Sequence, residues 1–160
     1  MIAVIQRVSE AAVRVEGEVV GRIGPGLVAL VAVHRDDEAA DVAWTAGKLV
    51  GLRIFPNPKD LEKGFDLDVR QAGGEALLVS NFTVAADTRR GRRPSFDAAA
   101  GGERGRELFD ALAEAVRSAG VDVQTGRFGA DMHVSLVNDG PVTVLIDSRE
   151  ARPAGSPKSD

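Results

Sequence analysis

Apolar residues along this chain fall into short alternating or continuous runs, with two longer stretches of helical period. Residues 2–8 are rich in Val and Ile. Val13 and Val15 alternate with Arg14 and Glu16, the two-residue period of a half-buried strand. A turn fits at Gly17, Val19-Val20-Gly21-Arg22-Ile23 resumes the strand pattern, and Gly24-Pro25-Gly26 breaks it. Leu27 to Val33 is apolar throughout, as expected of a strand covered on both faces. Asp36-Asp37-Glu38 then begins a helix, its acidic residues matching the positive end of the helix dipole. Ala39, Val42, Ala46, Leu49 and Val50 form its apolar face at spacings of three and four. Phe55-Pro56-Asn57-Pro58 closes that unit, and residues 56–75 read as loop.

Ala76-Leu77-Leu78-Val79 restarts a buried strand that leads into Ser80-Asn81-Phe82-Thr83-Val84. A second helix carries Leu108, Phe109, Leu112, Ala115, Val116 and Ala119 on one face, with Gly120 placed for a left-handed cap. Val121-Asp122-Val123 reads as a short strand. Met132, Val134 and Leu136 alternate with polar residues, and Val142, Val144 and Ile146 alternate again after Gly140-Pro141. The pattern predicts about seven or eight strands and two long helices, with the strands in hairpin-like clusters. That order favours an α+β domain over residues 1–150: a mostly antiparallel, curved sheet or barrel-like core with two main helices packed on it. A doubly wound parallel sheet fits less well. Residues 151–160 hold Pro, Gly, Ser and Lys without apolar pattern and are expected to be a disordered tail.

Composition narrows the chemistry. A chain of 160 residues suits one domain with a substantial core. It has no cysteine, which excludes disulfides, thiolate nucleophiles and zinc–thiolate sites and fits a cytoplasmic location. No apolar run is long enough to cross a bilayer, and Met1-Ile2-Ala3-Val4-Ile5-Gln6-Arg7 lacks the basic start of a signal peptide. At a net charge of −4 the chain is a poor general binder of polyanions, so any nucleic-acid contact must be local. Arg89, Arg90, Arg92 and Arg93, with Gly91 and Pro94, are the candidate: either a solvated loop or a compact phosphate-binding surface.

Acid–base machinery is sparse. His34 and His133 are the only histidines; Ser80, His133 and Asp147 would supply a triad only by composition, and no Gly-x-Ser-x-Gly elbow occurs. Asp66, Asp68, Asp131 and Asp139 lack the spacing of a calcium loop, so no metal is expected. The glycines at 24–26 and 101–105 do not follow the strand–loop–helix grammar of a phosphate loop, and no cofactor is expected. Two segments stand out instead: Ser80–Val84 and Asn138-Asp139-Gly140-Pro141-Val142-Thr143 set small hydroxyl and amide side chains beside apolar runs. Gly140-Pro141 suits a turn; a cis bond there would orient its carbonyls as no trans peptide does.

With these two segments the chain resembles the D-aminoacyl-tRNA deacylases of the bacterial and eukaryotic type. The resemblance spans nearly all of residues 1–148. It takes in Ala3-Val4-Ile5-Gln6-Arg7-Val8, Leu52-Arg53-Ile54-Phe55, Ala86-Asp87-Thr88, Gly91-Arg92-Arg93-Pro94-Ser95-Phe96 and Thr125-Gly126-Arg127-Phe128-Gly129-Ala130-Asp131-Met132. It implies a homodimer on a barrel-like fold, with each active site at the subunit interface. It further implies that a cis Gly140–Pro141 peptide of one subunit enters the pocket of the other, and that the substrate is a D-amino acid esterified to the terminal adenosine of tRNA. On this resemblance Ser80, Asn81, Phe82, Thr83, Gly140 and Pro141 bind substrate, Gly140 and Pro141 exclude L side chains, and Arg89, Arg90, Arg92 and Arg93 contact tRNA phosphates. An aminoacyl ester is already activated, so positioning and polarisation supply much of its hydrolysis. The tRNA's own 2′-hydroxyl, or a water it orients, would replace a protein base. Thr83, a hydroxyl without a neighbouring base, then supports the ligand and is no firm nucleophile. Glycine, with no side chain to reject, would pass the same filter.

The chain departs from the family pattern at Asn81, where Gln is usual, at Val84, where Leu is usual, and at Phe65-Asp66-Leu67-Asp68, which more often reads Met-Asn-Leu-Ser. Two rival readings remain: a non-catalytic nucleic-acid-binding dimer, and a hydrolase of other small esters or amides.

Overall fold

A computed structural model describes residues 1–60, 64–89 and 91–151. Six strands and two long helices follow in the order β1 (Ile2–Val15), β2 (Glu18–Ile23), β3 (Gly26–Ala32), α1 (Ala39–Gly51), β4 (Glu75–Ser80), α2 (Gly102–Ser118), β5 (Val123–Thr125) and β6 (His133–Asp147). A 3-10 turn, Phe82–Ala85, follows β4, and another, Ser148–Ala151, follows β6. Of the expected tail, Ala151 ends that turn and the rest lies outside the described residues.

β1 organises the sheet. β6 runs antiparallel along one side of it, while β3 pairs with residues 2–8 and β2 with residues 11–15 on the other. β4 joins β3 in parallel, and β5 joins β4 in parallel. The sheet is therefore mixed, with its parallel half made by the two crossovers that carry α1 and α2. It curls until it nearly closes: a Cβ on Gly21 of β2 would lie 2.8 Å from the Thr125 carbonyl oxygen of β5.

Fewer strands appear than the apolar pattern predicts because two breaks are absorbed within long strands. Residues 2–8 and 13–15 belong to one strand, whose register with β6 slips at Gln6–Val8 and Val8–Glu10, so the polar Ser9-Glu10 stretch is a bulge. The expected strands at 131–138 and 142–146 likewise merge into one, β6, which begins at His133 and runs across Gly140-Pro141. The short strand lies at Val123–Thr125, two residues beyond its expected start, where it can pair with Ala76–Leu78.

Both faces of the central strands are buried, which explains their unbroken apolar runs. Leu27, Ala29 and Val31 of β3 and Ala76 and Leu78 of β4 face the helices, against Leu49, Val50, Phe109 and Leu112. Val28, Leu77 and Val79 face the opposite way, against Val8, Val13 and Ile23. α1 begins at Ala39, with Glu38 as its N-cap in a reciprocal capping box with Asp41. Ala39 itself is exposed, and Asp37 is turned inward, where it accepts from the His34 amide at 2.6 Å and pairs with the Met1 ammonium at 2.6 Å.

Candidate active site

β4 delivers the first signature to an open edge. Asn81 continues the ladder by donating its amide to the Val31 carbonyl at 2.8 Å, then caps the 3-10 turn with its side chain. Ser80, Asn81 and Phe82 line one wall of a cavity of about 860 Å³. Ala99 to Gly102 and Gly105, where the chain enters α2, also line it, as do Phe128, Gly129, Ala130 and Met132. Phe82 is 56 % exposed and meets Phe96, another lining residue, edge-on at 5.0 Å between ring centres. The glycines at 101–105, which carry no phosphate-loop pattern, matter here because they leave room: a Cβ on Gly105 would press to 3.2 Å from the Phe128 ring. Arg106 stacks over the same ring at 5.0 Å. Thr83 is exposed beside this wall, its hydroxyl 2.5 Å from Asn81 Oδ1, and does not itself line the cavity.

The second signature forms a clamped turn within β6. Asn138 Nδ2 donates to the Val142 carbonyl at 3.1 Å and to Thr143 Oγ1 at 3.2 Å, while Asn138 Oδ1 accepts from the Val142 amide at 2.7 Å. Val142 has no partner in the register with β1, so this one side chain stands in for a missing ladder rung. Arg7 holds the apex from below, donating to the Asp139 carbonyl at 2.9 Å and to the Ile54 carbonyl at 2.6 Å, with the Asp139 carboxylate 3.2 Å away. The Gly140–Pro141 peptide is cis, and Gly140 has φ of +145°. A Cβ there would lie 2.6 Å from Val142 Cγ2 and 2.7 Å from the Val142 amide, so only glycine fits. Gly140 and Pro141 are exposed and line no part of the cavity in their own chain. A single chain thus keeps the two signatures apart.

The arginine loop is closed by reciprocal backbone bonds between Asp87 and Ser95 at 2.8 and 2.9 Å. Arg89 is engaged by Asp87 at 2.7 and 2.9 Å, and the Arg89 side chain, then its backbone amide, pull the Asp87 carboxyl down to about 2. Arg92 and Arg93 are exposed; Arg90 lies outside the described residues.

The remaining candidates are dispersed. His133 and Asp147 stand at opposite ends of β6, and Asp147 is bound by Arg149, so no triad with Ser80 forms. Burial alone would raise the Asp147 carboxyl, but hydrogen bonds from the Arg149 side chain and backbone outweigh it and lower it. Asp66 binds Arg53 and Asn57, and Asp68 accepts the amides of Arg70 and Gln71 to hold a turn. Among the described residues no group of three or more His, Cys, Asp or Glu is placed to hold a metal ion. No helix there is long and apolar enough to cross a membrane. Arg7, Phe96 and Phe128 each sit in a motif quoted above but were given no role there; a lone arginine on a strand or a lone aromatic carries no local signal of its role.

The model of the D-Tyr-tRNA(Tyr) deacylase family matches residues 4–147. The chain belongs to that family. It is 54 % identical over 155 residues to a D-aminoacyl-tRNA deacylase of Methylococcus capsulatus, covering 97 % of this chain and 99 % of the relative. Among solved structures, the c-Myc DNA unwinding element binding protein superposes with a TM-score of 0.86 at 32 % identity, covering 92 % of this chain and 98 % of that one. A probable eukaryotic D-amino acid tRNA deacylase superposes with a TM-score of 0.74 at 20 % identity, covering 91 % and 97 %, which extends the agreement in fold. Family membership supports a hydrolase that deacylates D-aminoacyl-tRNA, with tRNA as its substrate.

Proposed function

We propose that this protein is a cytoplasmic homodimer that hydrolyses the ester of D-aminoacyl-tRNA and of glycyl-tRNA, each active site being completed by the Gly140–Pro141 turn of the other subunit. The observation that carries the reading is that this clamped turn is exposed and absent from its own chain's cavity. Among the described residues β6 pairs only with β1, and it exposes Val137 at 51 % and Leu145 at 66 %, an uncovered apolar edge of the kind that a second copy would bury. In the completed site, Ser80 and the backbone of Phe82 hold the terminal adenosine and the ester carbonyl, beside Thr83. The Gly140–Pro141 backbone stands beside the α-carbon and excludes an L side chain, while a D side chain points outward. Arg92 and Arg93, with Arg89 and Arg90, contact tRNA phosphates. A water held by the ribose 2′-hydroxyl, which stands in for a protein base, attacks the ester carbonyl; the bond to the ribose oxygen breaks, that oxygen takes up a proton, and the amino acid leaves as its carboxylate.

The test is ester loss from D-tyrosyl-, L-tyrosyl- and glycyl-tRNA. Rapid loss of the D and glycyl esters with the L ester spared supports the reading. Equal loss of D and L esters sinks the steric filter, and a stable glycyl ester counts against it as well. Retained tRNA binding without any ester loss would favour a non-catalytic nucleic-acid-binding dimer.

A further inference from the structure

Asn81 Oδ1 receives two hydrogen bonds, from the Thr83 amide at 3.2 Å and from the Thr83 hydroxyl at 2.5 Å. A backbone N–H only donates, so the amide atom that faces it is the oxygen, and the orientation of the Asn81 side chain is settled by that bond. An amide oxygen only accepts. The Thr83 hydroxyl therefore gives its single proton to Asn81 and turns lone pairs alone to everything else. It has no proton for a leaving group, and Asn81 is no base that would make it a nucleophile. What it can take is a hydrogen-bond donor.

Among the described residues, the cavity beside it is lined without any Asp or Glu. Within one chain, a cationic group entering there is met by neutral oxygen atoms. Hydrogen bonds from a charged donor are roughly twice as strong as neutral ones, so an acceptor-only hydroxyl at the rim favours an ammonium over a ribose hydroxyl. We infer that Thr83 Oγ1 accepts a hydrogen bond from the substrate's α-ammonium, and that Asn81 is the positioning residue that keeps the hydroxyl in that state. This rests on the deacylase reading and adds the group by which the amino acid is recognised. The closure depends on side-chain length, because an Asn two residues before the amide makes the compact turn that a longer amide closes less tightly.

The experiment compares kcat/KM for D-tyrosyl-tRNA with that for the same tRNA esterified to 3-(4-hydroxyphenyl)propionate, which lacks the amine. Thr83→Val should lower the D-tyrosyl value by about tenfold or more beyond whatever it costs the desamino ester, the worth of a hydrogen bond to a charged group. Asn81→Leu, which keeps shape and removes the acceptor, should loosen the capped turn for both esters and add the same further loss on the D-tyrosyl ester. Asn81→Asp, whose carboxylate accepts both bonds from Thr83, should restore most of the preference for the amine. Circular dichroism and melting curves for each variant separate unfolding from loss of recognition. Equal penalties on the two esters overturn the inference, as does an Asn81→Asp variant no better than Asn81→Leu. A wild-type protein inert toward D-tyrosyl-tRNA overturns the deacylase reading itself, and this inference with it.

Discussion

Asn138→Ala isolates the clamp that shapes the Gly140–Pro141 turn. The substitution deletes three hydrogen bonds and leaves the Val142 amide and carbonyl without their partner in a part-buried setting. Val142 is only 6 % exposed, so water reaches those groups poorly. Unsatisfied groups of this kind cost about 1–3 kcal/mol each when fully buried; with partial access the expected total is about 2 kcal/mol. For a domain of this size that lowers Tm by roughly 4–8 °C. The fold should survive, because Val142 contributes one apolar side chain to a core that spans both faces of the sheet. Activity should fall further than stability, since a displacement of about 1 Å in a positioned group can cost on the order of a hundredfold. Asn138→Asp should lie between wild type and alanine: it keeps the bond from the Val142 amide and sets a carboxylate oxygen against the Val142 carbonyl. The assay is D-tyrosyl-tRNA ester loss at 25 °C beside thermal melts of the same samples. Wild-type kcat/KM in Asn138→Ala would refute the argument, and so would an activity loss that merely tracks the unfolded fraction.

Three further outcomes follow from the geometry. Gly26→Ala should destabilise by about 1–3 kcal/mol or more in melts, because a Cβ there lies 2.0 Å from the Glu75 carbonyl oxygen across the β3–β4 pairing; Gly47→Ala, in open space on α1, should be neutral or stabilising. His34 is held below its ordinary value of 6.5 by burial and by Arg149, against the opposing pull of Asp36 and Asp37. Its stability contribution is therefore complete above pH 6.5 and is lost as pH falls below that value, so urea melts from pH 7.5 to 5 should show a decline that His34→Gln flattens. Arg92→Ala should reduce the salt slope of tRNA binding by about 0.7–0.9, whereas Arg89→Ala should change it less, because Asp87 already neutralises that guanidinium; equal effects would contradict the pairing.

Much of this protein follows from its residue order alone. The two helices, the doubly covered β3 and β4, and the two signatures at Ser80–Val84 and Asn138–Thr143 are local in origin: periodicity and turn chemistry act over a few residues and can be read there. The family signal is legible in the same way, as an ordered set of motifs. What the order of residues leaves open is set by distance in space. Gly140-Pro141 reads as a turn, and Ser9-Glu10 falls between two apolar runs, yet β1 and β6 run through them, because each strand is held along its length by the other and a bulge costs less than an unpaired edge. Asn138 has the look of a motif residue in the sequence; only the fold shows it replacing a ladder rung. Arg7 becomes part of the site because β1 lies beneath the Asp139 carbonyl, 132 positions away in the chain. The separation of the two signatures is likewise a tertiary fact. The strand that carries Gly140 is anchored along β1 and turns its apex outward, so that no local pattern could reveal that the exposed turn and the cavity belong to different places on one chain.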